Sequence, residues 1–399
     1  MVSATFDSSQ PRPEPRAQAA ALAVNKWIVN PWFDYLFVVG GFLWLVFALQ
    51  IYWFHWEAPD PSATGLAGRA AYGLLLTSTI GTYLFADSHT IATYMRIYST
   101  KENRDRFKLY AYYLPWMSLL LFSLCLLYPR AAGFCVYLHL MWVFQHYVGQ
   151  TFGISLIYCY KRGYFFQNWE RETYRWFMHS FSAFVITRIL CFRNHSPDDL
   201  WGIKLPFYGL PDWIHTLALA WFCAMSIAFI YVLAKKAIME KKFLPMPTAA
   251  LVVTMLLIGY STGFAHSVIW LYGPPFFHGS QYLTVSLAFY LKEKGLQEGR
   301  MAEVSSNLLR EFVSRAGLYY WFMVISAGFV VYVAIPNVLQ NYGFNFVATA
   351  TIIQLALISI TSAVMAQFGV CVTKPVEKYC WLELTPFQPN CSSYSLASQ

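Results

Sequence analysis

Ten apolar stretches recur along the chain, at about 33–55, 71–97, 109–128, 132–159, 174–191, 213–234, 248–272, 276–291, 317–336 and 346–371. At about 1.5 Å per residue, nearly all are long enough to cross a hydrocarbon layer about 30 Å thick. A segment in hydrocarbon must satisfy its own backbone N–H and C=O groups, so uninterrupted runs of this length are expected to be helices. Only 12% of the 399 residues are charged and 57% are hydrophobic, against about 25% charged in soluble domains. The expected fold is therefore all-α: a polytopic integral membrane bundle of about ten transmembrane helices. The eighth stretch is short, and Pro274-Pro275 separates it from the seventh. It reads either as a full crossing or as a re-entrant helix.

Charge patterning gives the orientation. With the N-terminus cytoplasmic, alternation gives that side Arg12, Arg16 and Lys26, the Lys101–Lys108 cluster, and Lys161, Arg162, Arg171 and Arg175. Lys235, Lys236, Lys241 and Lys242 follow, then Lys292, Lys294, Arg300, Arg310 and Arg315, and finally Lys374 and Lys378. The other side receives Arg69, Arg130, Arg193 and Lys204. So uneven a split is what the positive-inside rule predicts for ten spans with both termini inside, and it assigns the +8 net charge to cytoplasmic loops rather than to nucleic acid.

Residues 1–31 read as a disordered lead-in without a cleaved signal peptide, 32–372 as the transmembrane domain and 373–399 as a cytoplasmic tail. Within the second of these, 296–315 spaces apolar residues at helical intervals between arginines, as an interfacial helix on an anionic leaflet does. Eight scattered cysteines with no CxxC pair imply neither a disulfide framework nor a zinc ribbon. A multi-pass location in a bacterial inner membrane or its equivalent is expected.

The informative residues are the polar ones at membrane depth. The fourth stretch carries HLMWVFQHYVGQTFG, which puts His139, His146 and Gln150 on one helical stripe at i, i+7 and i+11. The second carries Asp87, His89, Thr93 and Arg96; the fifth, His179; the seventh, His266; the eighth, His278 and Gln281. Six of the nine histidines and an aspartate thus fall on five spans, where each costs several kcal/mol unless partnered. Such groups serve as interhelical hydrogen-bond glue, as a translocation relay or as metal ligands. Imidazole with carboxylate suits iron, zinc or copper, while calcium and magnesium prefer oxygen donors. The expected ligands are His89, His139, His146, His179, His266, His278 and Asp87, for one or two ions. Gln150, Gln281 and Thr93 are expected to orient them. Arg96 is expected to hold the anionic head of a lipid-like substrate, with simple positive-inside anchoring as the alternative.

This distribution of histidines resembles the polytopic, His-rich non-haem iron proteins of membranes: the fatty-acid desaturase, hydroxylase and alkane hydroxylase group, and the bacterial β-carotene dioxygenase family. The clustered HxxxH and HxxHH boxes of the desaturases do not occur here. The Pro-His-Gly element of the dioxygenases has its nearest counterpart in His278-Gly279, late in the chain. The resemblance implies iron-dependent oxygen chemistry on a lipid or isoprenoid, with electrons from a partner protein or cosubstrate. Two further readings stay open: a secondary transporter or metal permease using the same groups as a relay, and a haem-binding electron-transfer protein.

Overall fold

The computed structural model describes residues 26–54, 62, 64–98, 101–106, 108–196, 198–200, 203–261, 273–300, 303–304, 307–344, 349 and 352–353. Nearly all of the tenth expected span and of the N-terminal lead-in, together with the cytoplasmic tail and His266, lie outside these residues. Helices make up the architecture: α1 (Pro31–Val38), α2 (Gly41–Phe54), α3 (Gly65–Gly81), α4 (Ser88–Tyr98), α5 (Lys101–Arg106), α6 (Leu114–Leu127) and α7 (Pro129–Lys161). They continue as α8 (Asn168–Cys191), α9 (Asp212–Met239), α10 (Met246–Ser261), α11 (Ser280–Gln297), α12 (Leu308–Phe312) and α13 (Arg315–Gln340). Among the described residues, strand pairing is limited to a two-residue antiparallel ribbon, Asp199–Leu200 against Ile203–Lys204.

Among the described residues, two helices, α9 and α13, are long and apolar enough to cross a membrane alone. α1 and the first part of α2 make a third candidate if their 57° bend lies within one span. Gly40 sits at that bend with φ +99°, and a Cβ there would meet Thr254 Cγ2 at 2.7 Å. Only glycine suits both the dihedral and the space. The expected ten crossings are thus met in part. α3, α4, α7 and α8 are helical across their expected segments, but Ser, Thr, His, Gln and charged side chains dilute their hydropathy. α9 exposes Leu217, Ile227 and Ile230, and α6 exposes Trp116 and Leu120. Water disfavours such continuous apolar faces, whereas hydrocarbon accepts them.

Where one interfacial helix over 296–315 is expected, α11 ends at Gln297, Gly299 turns with φ +73°, and Asn307 caps the separate five-residue α12. α12 still divides by face: Leu308 and Phe312 are buried, Arg310 is exposed.

The core is built around α7, which packs against α6, α8 and α10 and buries Val148, Phe152 and Leu156. α8 starts at a capping box in which the Glu170 side chain accepts from Gln167 N at 2.9 Å. α8 and α9 form the most extensive helix pair, with Phe229 stacked on Tyr174 at 4.7 Å and on Phe177 at 5.0 Å. At one end of that pair Lys236, almost fully buried, reaches Glu170 at 3.1 Å and Glu240 at 3.0 Å. The segment before α1 and the start of that helix are fastened to α7 through Asp34. Its carboxylate, fully buried, accepts from Ile28 N at 2.7 Å, Val29 N at 3.0 Å and Tyr158 OH at 2.7 Å.

Candidate metal centre

Three of the expected histidines converge. His89 lies on α4 directly after a π-helical turn, Thr82–Asp87; His146 lies midway along α7; His278 lies in a second π-helical turn, Gly273–Gly279, ahead of α11. These two turns pack against each other. Gly279 makes the contact possible, since a Cβ there would stand 2.7 Å from the Phe85 carbonyl oxygen. All three imidazoles are buried. His278 Nε2 lies 3.2 Å from His146 Nε2 and 3.2 Å from His89 Nε2, and ligand atoms of the three rings all fall within 4.8 Å of one another.

The hydrogen bonding favours lone pairs at the centre. His89 Nδ1 bonds the Ala86 carbonyl oxygen, so that nitrogen carries the proton and Nε2 presents its lone pair to the other rings. With one proton at most on each Nε2, hydrogen bonds alone pair this trio poorly. Nitrogen ligands at about 2.0–2.1 Å from one ion stand about 2.9–3.4 Å apart in octahedral or tetrahedral shells. The two 3.2 Å separations fall in that window. Two buried atoms beside the cluster, His278 Nδ1 and Gln150 Oε1, lack a hydrogen-bond partner among the described residues. An imidazole that ligates through Nε2 carries its proton on Nδ1, which gives the first of these a donor role.

The surrounding groups fix the rings. Gln150 Nε2 donates to the His278 carbonyl oxygen at 2.9 Å and to Gln281 Oε1 at 2.9 Å, and Gln281 Nε2 donates to the Val38 carbonyl at 2.6 Å. One carboxamide chain thus joins α7, α11 and α1. Thr93 Oγ1 lies 3.3 Å from the His89 carbonyl and donates to Tyr282 OH at 2.7 Å. Tyr147 lies against the His278 ring at 4.4 Å between centroids, and Tyr282 against His89 at 5.7 Å. Spacing alone does not single out these two tyrosines, although each neighbours a histidine in sequence: Tyr147 directly follows His146, and Tyr282 falls one turn after His278.

The other expected ligands lie elsewhere. His139 is on the same stripe of α7 two turns before His146, half-buried and outside the trio. His179 Nδ1 pairs with Gln145 Nε2 at 2.5 Å, and its ring meets Trp176. Asp87, in the π turn before His89, stands within electrostatic range of Tyr332 rather than in the trio. Arg96 is half-buried with its guanidinium 4.7 Å from the Phe289 ring centroid.

No family model, curated protein or solved structure matches this chain. Fold and site together define an all-helical protein with long apolar helices and a buried cluster of three imidazoles.

Proposed function

We propose that this chain is a multi-pass integral membrane metalloprotein in which His89, His146 and His278 hold one transition-metal ion through Nε2. The convergence of these three nitrogens carries the reading. An all-imidazole donor set suits iron, zinc, copper or nickel, and iron accords with the resemblance to His-rich membrane oxygenases. About ten crossings with both termini cytoplasmic, supported by the lopsided distribution of Lys and Arg, would place the trio at membrane depth. The activity we infer is oxygen-dependent oxidation of a lipid-like or isoprenoid substrate, with electrons drawn from a partner protein or cosubstrate.

A bound ion supplies Lewis acidity or redox reactivity at the positions that three protein ligands leave open. The chain supplies placement. The Ala86 carbonyl holds the His89 ring in one tautomer, and Gln150 holds the backbone that bears His278. Tyr147 and Tyr282 wall the trio with aromatic rings and keep water from it.

Elemental analysis of the purified protein tests this. About one iron per chain is expected, lost in His146→Ala and retained in His139→Ala and His179→Ala, with unchanged helicity by circular dichroism. Metal content in His146→Ala equal to that of the parent would overturn the reading.

A further inference from the structure

A cavity of about 600 Å³ lies beside the histidine trio and shares two of its supporting segments. Phe85, in the π turn one helical turn before His89, forms part of its wall. Ser280 and Thr284 of α11, which begins directly after the π turn bearing His278, form another part. Phe33 and Phe37 of α1, with Phe312 and Trp321, add aromatic rings to the wall. Phe33 meets Phe312 edge-on at 6.0 Å and Phe37 at 5.0 Å, so three of these rings form one aromatic patch. Its polar lining groups are few, and one of them is a cation: Arg310 of α12, an exposed residue.

Volume, lining and charge select the occupant. Cavities of about 300–1,000 Å³ suit one small ligand. An apolar, aromatic lining favours a hydrocarbon chain over a polar metabolite, because a polar group inside would lose its hydrogen bonds to water. A guanidinium beside it favours a carboxylate or phosphate, which it can bind through two parallel N–H donors. We infer that this cavity binds an anionic amphiphile, its single apolar chain extending from Arg310 toward Phe85 and Ser280 and so toward the trio. This inference rests on the proposed function, which it deepens by naming the substrate class. It also moves the head-group contact from Arg96, which lies over Phe289, to Arg310.

The probes are parinaric acid, a fluorescent polyene fatty acid, and its uncharged methyl ester, titrated into the purified full chain. Saturable binding of both is expected. Arg310→Gln, at an exposed site that the fold does not need, is expected to weaken the acid roughly tenfold and leave the ester unchanged. Thr284→Phe fills the cavity from α11 and is expected to abolish binding of both probes. Val313→Trp narrows the same cavity from a residue 68% exposed and serves where the buried substitution impairs folding. His146→Ala is expected to bind both probes as the parent does. Equal affinity of Arg310→Gln and parent for the acid, or ester binding untouched by both cavity-filling variants, would overturn the inference. Retained metal in His146→Ala alongside the expected probe pattern would sink the metal reading alone and leave the cavity assignment standing.

Discussion

At the scale of single residues, Gln150 links the histidine trio to the frame. Its amide donates both to the backbone that carries His278 and to Gln281, which in turn holds the carbonyl of Val38. Gln150→Leu keeps the volume roughly constant but removes a donor from two buried acceptors. A loss of about 1–3 kcal/mol in stability is expected by thermal or denaturant unfolding. Metal affinity should fall about 10- to 100-fold by competition with a chelator. A variant with parental affinity would show that the carboxamide does not position His278. The i, i+7, i+11 stripe made His146 and Gln150 legible from sequence, because helical periodicity fixes which residues share a face. The same stripe carries His139, but two turns is about 10 Å along the axis, too far to share one ion with His146. His89 and His278 were legible as buried histidines. Their meeting was not, since neither hydropathy nor spacing records how two separate turns approach.

At the scale of elements, the π-helical turns Thr82–Asp87 and Gly273–Gly279 set the geometry. A wider turn shifts the side chains that follow it off the regular helical phase, which depth counting along a straight helix misses. Through these turns His278 meets His89 and His146. Gly279→Ala forces the two turns apart, because its Cβ would stand 2.7 Å from the Phe85 oxygen. We expect a stability loss of about 1–3 kcal/mol together with reduced metal content; parental metal stoichiometry would show that the turns tolerate separation. A second element-level constraint joins α8 to α9. Lys236→Met strands the fully buried Glu170 without its nearest cation, at a cost of about 3–5 kcal/mol. Adding Glu170→Gln should recover much of that loss in the same unfolding experiment.

For the whole molecule, the helical content was legible because long apolar runs satisfy their own backbone groups most readily as helices. The number of crossings was less so, since the helices that carry chemistry are also the polar ones. Site-specific thiol labelling decides it. Lys241→Cys in the turn after α9 and Asn194→Cys after α8 should label from opposite faces of sealed vesicles, because α9 alone separates them. Labelling of both from one face would contradict the proposed alternation.

The trio joins rings 189 and 132 residues apart in sequence. Closing loops of that length is slow, and a chain emerging from a ribosome cannot close them before residue 278 has been made. If the trio holds an ion as proposed, its acquisition is a late event, and a nascent chain arrested short of that point would already hold His89 and His146 yet offer an ion too few ligands to stay.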